Sequence, residues 1–375
     1  MELIPLLKEL VAIPSVFPNE QKISNFLANY LEQIGFTVEK VPTQKTRNNI
    51  IATYGKAEKY LAFFGHMDTV PPEKEIKNPY KAVIEGNRAA GLGTEDMKGG
   101  IAAILKTGEF AVKKNLPLKI IFAVDEEDIS RGANDLCASG LLKNINFLIA
   151  AESGQIQDIH QPYNVCYGRK GRILFELEVI GKKAHAANTK KGKNAIDAAI
   201  DLLSEIKRMK LPVHKLLGLS EIILQNIQAE SDSFSVPDKC IIQLSLLTTP
   251  QIKSSEVAEK IKNIAKKLNI EINMQLAKRE TPFSESFEVD TKNKFLKLLE
   301  QEIFTSDKVV PVYTPSVADE NVFANRLKIP VISLGPIGGG GHSKDEWLDL
   351  NSLKTVEATY KKILNLYHTS LVLPV

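Results

Sequence analysis

Tyr60-Leu61-Ala62-Phe63-Phe64-Gly65-His66-Met67-Asp68 is an apolar run that stops at a histidine and an acid. A short continuous apolar run, without polar alternation, suits a strand covered by helices on both faces. Ile50–Ala52, Leu118–Val124 and Phe147–Ala150 have the same texture, and a helical pattern from Met97 to Lys113 separates two of the runs. Toward the amino end, Asn19 is placed to cap a helix whose Ile23, Leu27, Leu31 and Ile34 share one face, with Gly35 ending it. Leu3, Leu6, Leu7 and Leu10 recur at helical spacing. Met1 to Ile13 has neither a basic leader region nor a small-residue cleavage site, so a folded helix is expected there. Helices alternating with buried strands predict an α/β domain.

The texture changes around Gly168-Arg169-Lys170-Gly171-Arg172. Ile173–Ile180 alternates like a strand, Asn194–Met209 reads as a helix, and Ile222–Ile227 and Cys240–Leu247 read as strands. Helix Ser254–Leu268 and strand Ile270–Ala277 follow. The order βαββαβ describes a ferredoxin-like α+β sandwich. After Glu280 the α/β texture returns with helix Thr291–Phe304, strand Pro330–Leu334 and helix Ser352–Tyr367. The expected organisation is one domain over residues 1–171 and 281–375, interrupted by a second over 172–280.

Composition excludes several classes. With 375 residues, 43% hydrophobic and 25% charged, and a net charge of +3, the chain reads as globular. Its lysines, such as Lys113-Lys114 and Lys190-Lys191, are spread as solvated faces rather than gathered into the basic stripe of a nucleic-acid binder. No 18-residue apolar run predicts a membrane span. Cys137, Cys166 and Cys240 form no CxxC and are far apart. They predict neither a disulfide framework nor a thiolate metal site, and fit buried thiols in a reducing cytoplasm.

The chemistry-bearing residues share one kind of place. His66, the triplet Asp125-Glu126-Glu127 and Glu152 each follow an apolar run, while Asp96 and His342 lie in Gly-rich stretches, Gly91–Gly100 and Gly338–Ser343. In open α/β sheets ligands bind beyond the carboxyl ends of strands. A phosphate loop is excluded: Asp96 stands at the third Gly position of GxGxxG and would repel a phosphate, and no GK[ST] follows. Carboxylates gathered at one sheet edge repel each other unless a cation neutralises them. Mixed imidazole and carboxylate donors suit zinc. Two histidines with three or more carboxylates exceed the needs of one catalytic zinc, but would serve two ions about 3.5–4 Å apart that share a carboxylate.

Gly65–Pro71, Gly91–Gly93 with Asp96–Gly100, and Asp125–Glu127 resemble the dinuclear zinc family of acetylornithine deacetylase, succinyl-diaminopimelate desuccinylase and glutamate carboxypeptidase. Ala184-His185 with Gly192–Ile196, and Gly341-His342-Ser343, extend the resemblance over nearly the whole chain. It implies an α/β zinc-peptidase catalytic domain with a central mixed sheet, an inserted ferredoxin-like dimerisation (lid) domain, and two Zn2+ ions, with Co2+ or Mn2+ as substitutes. Asp96 would bridge them, with His66 and Glu152 on the first and Glu127 and His342 on the second. Asp68 would hold the His66 imidazole from behind. Glu126 would be the general base toward the attacking water. His185, reaching in from a partner subunit of a homodimer built by the inserted domain, would stabilise the oxyanion. The substrate implied is a small acylated amino acid or a short peptide, with no nucleic acid or membrane partner and a cytoplasmic location.

The sequence also departs from that family. Asp128 and Thr189 stand where Gly and Pro are usual. Phe234 stands where relatives commonly have Asn, and Leu247 where they have Arg, two groups that help hold a substrate carboxylate. Arg169 resembles another substrate-contacting position. An amidohydrolase removing an acyl group is therefore the leading expectation, with a di- or carboxypeptidase as the alternative. A catalytically silent binding protein is the reading from another class. His160, His214 and His368 match nothing in the family and are expected at the surface.

Overall fold

The computed structural model describes residues 1–44, 47–75, 77–153, 161–231, 234–305 and 309–372. The chain divides into two compact units. One comprises residues 1–168, 289–313 and 318–375, the other residues 169–288 and 314–317.

The first unit is built on a mixed sheet. Its strands run, in spatial order, Thr37–Pro42, Asn48–Tyr54, Leu118–Ala123, Tyr60–His66, Ile145–Ala150, Val331–Gly335 and the strand beginning at Asn164. Leu118–Ala123, Tyr60–His66, Ile145–Ala150 and Val331–Gly335 are mutually parallel, and the outer strands pair antiparallel. Every residue of Tyr60–His66 and Leu118–Ala123 is buried. Successive side chains of the central strand meet different helices: Phe63 packs on Tyr360 of helix Leu350–Val372 with ring centroids 4.6 Å apart, and Phe64 meets Phe323 of helix Asp319–Leu327 edge-on at 4.8 Å. Because neighbours along a strand point to opposite faces, both faces are covered, and the sequence shows an unbroken apolar run.

The first leucine-rich helix spans Leu3–Ala12 and buries Leu3, Leu6, Leu7, Leu10 and Val11. The second helix begins at Gln21, one residue later than an Asn19 cap would place it, with Glu20 in the cap position and no side-chain cap. The Glu20 carboxylate is engaged elsewhere, accepting from Arg47 Nε at 2.9 Å and Nη2 at 2.5 Å. A small antiparallel sheet, ordered Gly338–Gly339, Trp347–Asp349, Arg88–Ala90 and Val83–Glu85, lies in the same unit.

The second unit has a four-stranded antiparallel sheet. Its order is Glu221–Gln228, Lys239–Thr248, Gly171–Ile180 and Glu271–Leu276. Helices Ala195–Arg208 and Ser254–Lys267 complete a ferredoxin-like βαββαβ unit. Leu177, Val179, Leu202, Ile242, Leu244 and Val257 are among the residues of its separate core. Among the described residues, no helix is long and apolar enough to cross a membrane.

Candidate metal centre

Three adjacent parallel strands carry the first ligand candidates to one edge of the sheet. The register aligns His66 with Ala123 and Phe64 with Ala150, so Asp125–Glu127 and Glu152 emerge beside His66. Asp96 reaches the same place through a tight turn, Thr94–Lys98, ahead of helix Gly99–Lys114. Gly93 holds φ at +77° there, a conformation that favours glycine. A Cβ on Gly100 would sit 2.3 Å from the Ala151 carbonyl oxygen, so the helix start can lie against the strand end only because that position is glycine. Asp125 and His342 hold left-handed backbone at φ 71° and 64°. Non-glycine residues seldom adopt it, at a cost of about 1–3 kcal/mol, and such strain collects at functional sites.

The side chains form two triads that share Asp96. His66 Nε2 lies 2.8 Å from Asp96 Oδ1 and 3.3 Å from Glu152 Oε1. His342 Nε2 lies 2.9 Å from Glu127 Oε2 and 3.3 Å from Asp96 Oδ2. One oxygen of Asp96 thus faces each triad, and in each the donor atoms lie within 4.8 Å of one another. Glu126 belongs to neither, but forms a third group with His66 of one and Glu127 of the other.

The electrostatics show carboxylates that favour a neighbouring positive charge. Burial pushes Glu126 well above the usual carboxylate range and raises Glu127, and burial with the Asp96 charge lifts Glu152 to about 7. Burial acts the same way on Asp96, but hydrogen bonds from His342 and His66 outweigh it and hold that carboxyl low. Asp96 and Glu127 in turn drive His342 up to about 10. His66 is raised despite its burial by Asp68, Asp96 and Glu152. The imidazoles are being asked to supply cations to a cluster of carboxylates. Divalent ions would do so directly, leaving the imidazoles neutral as ligands must be. The donor set therefore fits two divalent cations.

The backbone around the cluster is braced by Asp68, a candidate read from the sequence, and by groups the sequence did not advertise. His66 Nδ1 lies 3.1 Å from the Asp68 carbonyl oxygen and 3.6 Å from its Oδ1. The Asp68 carboxylate meanwhile accepts from Glu126 N at 3.2 Å and Glu127 N at 3.0 Å, so it also fixes the acidic triplet. Arg47, 7% exposed, reaches Asp125 Oδ1 at 2.6 Å from its fork on Glu20. Asn49 Oδ1 accepts from Val124 N at 3.1 Å. Glu346 accepts from three backbone N–H groups of the Asp96 turn. Asp319 and Glu320 are fully buried at the start of their helix, and the Asp319 charge adds to the upward push on Glu126.

The remaining candidates lie in the second unit. His185 is exposed and its Nδ1 accepts from Ala187 N at 3.1 Å. Ser235 pairs with it across a short antiparallel bridge: Ala186 N donates to Phe234 O at 2.7 Å and Val236 N to Ala184 O at 2.8 Å. The Phe234 ring is 79% exposed with φ 62°, so it is no part of that unit's core. Leu247 is half-buried in strand Lys239–Thr248. Arg169 is buried and donates from Nη1 to Ser316 Oγ at 2.6 Å. His214 corrects the surface expectation, because its Nδ1 accepts from Leu216 N and Leu217 N inside a tight turn and it is buried there. His368 is half-buried with Nε2 2.8 Å from Pro117 O. His160 lies outside the described residues. Cys166 and Cys240 are buried, and Cys137 is half-buried.

The chain is similar to known proteins over most of its length. Residues 62–366 match the description "Peptidase family M20/M25/M40". A succinyl-diaminopimelate desuccinylase of Pelagibacter ubique is 26% identical, over 97% of this chain and 98% of its own. The crystal structure of an aminopeptidase from Bacillus cereus superposes with a TM-score of 0.77 at 19% identity, covering 98% of both chains. A dinuclear metal binding peptidase from Bacillus subtilis gives 0.73 at 16% identity, again over 98% of each.

Proposed function

The chain belongs to peptidase family M20/M25/M40 and is a metal-dependent hydrolase of amide bonds; from that premise we propose that it removes the acyl group of a small N-acyl amino acid. The observation that carries the reading is the shared Asp96 carboxylate, with one oxygen on each triad. His66 and Glu152 would hold one cation, Glu127 and His342 the other, and Asp96 both, with zinc preferred on the donor set. Bound there, such ions supply Lewis-acid polarisation of the scissile carbonyl and a nucleophilic water at neutral pH. Glu126 takes the proton of the attacking water and passes it to the leaving nitrogen. The new C–O bond forms first, and the C–N bond breaks once the nitrogen has taken that proton, giving a carboxylic acid and an amine. A His66 Nδ1 proton held by the Asp68 carbonyl leaves Nε2 as the ligand atom.

A peptidase acting on dipeptides or peptide ends uses the same groups, and Phe234 and Leu247, standing where relatives commonly have Asn and Arg, favour a substrate with an apolar or neutral group over a carboxylate at that point. A silent binding protein needs neither Glu126 nor a complete ligand set, and both are present. The test is a panel of acyl-amino acids, dipeptides and their carboxamide analogues, with metal content measured on the same sample. Activity that disappears on chelation and returns with Zn2+ or Co2+ is expected, with only a weak preference for free acids, rising in Leu247→Arg. Full activity after exhaustive chelation would sink the metal mechanism. A strong free-acid preference lost in Arg169→Ala would move the carboxylate contact to Arg169.

We also place this chain in a homodimer, with His185 acting on the partner's site. Supporting this, Ile223, Leu224 and Ile227 on edge strand Glu221–Gln228 and Ile200 on helix Ala195–Arg208 are all exposed. Mixing inactive His185→Ala with inactive Glu126→Gln should restore about a quarter of wild-type activity after random exchange, because a mixed two-fold dimer keeps one complete site. A strictly monomeric active enzyme would exclude the assignment in trans.

A further inference from the structure

Four residues beyond His342, a carboxylate outside both triads ties the two loops of the cluster together. Glu346 is 4% exposed. Its Oε2 accepts from Gly93 N at 2.8 Å, and its Oε1 from Glu95 N at 2.8 Å and Asp96 N at 3.1 Å. The small sheet explains how it arrives there. Trp347–Asp349 pairs antiparallel with Arg88–Ala90, Trp347 opposite Ala90, so the residue before Trp347 faces the turn that follows Ala90. Gly91 N completes the junction on the Glu346 carbonyl oxygen at 3.4 Å.

Hydrogen bonds to an ionised acceptor are about twice as strong as neutral ones. Three of them converge on Glu346, and all come from the turn that aims Asp96. The backbone that Glu346 holds is also irregular, with Asp96 and Met97 outside helical geometry, and it would otherwise expose those N–H groups.

The geometry points to Glu346 as the positioning residue of the cation centre, fixing the Asp96 turn against the His342 loop so that one carboxylate meets both imidazoles. The inference rests on the two-cation reading of that cluster. Asp349 supplies the contrast, since it braces the same strand without touching the turn: its Oδ2 accepts from Asn87 Nδ2 at 2.6 Å and its Oδ1 from Ser352 N at 2.7 Å.

The experiment titrates the metal-free, full-length protein with Zn2+ and with Co2+ by calorimetry, and measures retained metal after dialysis. Wild type is compared with Glu346→Gln, Glu346→Asp and Asp349→Asn, and thermal unfolding reports folding of each metal-free chain. Glu346→Gln keeps one acceptor oxygen but turns an NH2 toward the backbone donors, and is expected to weaken both binding events about 10–100-fold. Glu346→Asp should fall between it and wild type, and Asp349→Asn should bind as wild type even if it unfolds earlier. Wild-type affinity in either folded Glu346 variant would overturn the inference, as would equal weakening by Asp349→Asn. So would failure of both Glu346 variants to fold while Asp349→Asn folds, which would make Glu346 a stability residue. A wild-type chain that takes up neither ion would overturn the two-cation reading, and this inference with it.

Discussion

Glu126→Gln is expected to lower kcat by about 10²–10⁴-fold, the usual span for losing a positioned general base, with both cations still bound. The Asp68 carboxylate holds this residue through its backbone N–H, and glutamine keeps that bond. Glutamine also keeps the volume of the side chain, so only proton transfer is removed. Glu126 belongs to neither triad around Asp96, whereas its neighbour Glu127 lies 2.9 Å from His342 Nε2. Adjacent glutamates should therefore separate: Glu127→Gln should release one cation, and Glu126→Gln none. Because the loss concerns the transition state, kcat and kcat/KM should fall together. Metal analysis beside steady-state kinetics settles it. A Glu126→Gln chain that loses metal and keeps turnover would reverse the two assignments.

Asp96→Ala should be more damaging, because it empties both positions with one substitution. Each Asp96 oxygen serves a different imidazole, so truncation leaves His66 with Glu152 and His342 with Glu127, two donors where three stood. Loss of a catalytic ion forfeits several kcal/mol of charge stabilisation, so activity should drop by about 10³-fold or more. Retained metal after dialysis should approach zero. Two tightly held ions in Asp96→Ala would show that the triads do not share this carboxylate.

The site was legible where chemistry follows directly on a buried strand. His66, Glu126, Glu127 and Glu152 each stand just past an apolar run, and the parallel pairing brings those ends together. Asp96 and His342 were marked by the glycines around them. Glu346 and Arg47 carried no such mark. Glu346 sits in a polar turn whose partners lie 250 or more residues away, and Arg47 precedes a strand as any exposed arginine could. Only tertiary pairing shows that both are buried and bonded. Asp68 was found, but its grip on the Glu126 and Glu127 backbone depends on which strands are neighbours.

Elements were missed for related reasons. Thr37–Pro42 is a polar edge strand with no buried face to pattern it. The strands of the small sheet are two or three residues long, too short for any period to register. Helix Arg131–Ser139 buries Gly132, Ala133, Asn134 and Leu136, a set with little hydrophobic signature.

The position of Val331–Gly335 sets an order of events during synthesis. It lies between Ile145–Ala150 and the strand from Asn164, so those two cannot be joined until residue 335 has left the ribosome. By contrast, every strand and helix of the ferredoxin-like unit is in hand by Leu276. A nascent chain of about 300 residues therefore holds every strand and helix of that unit while the sheet of the first unit still has an open parallel edge, the kind of surface that invites wrong pairing. His342 and Glu346 emerge later still. The metal centre can close only once residues 342–346 have left the ribosome, and cations meet a complete cradle only after that point.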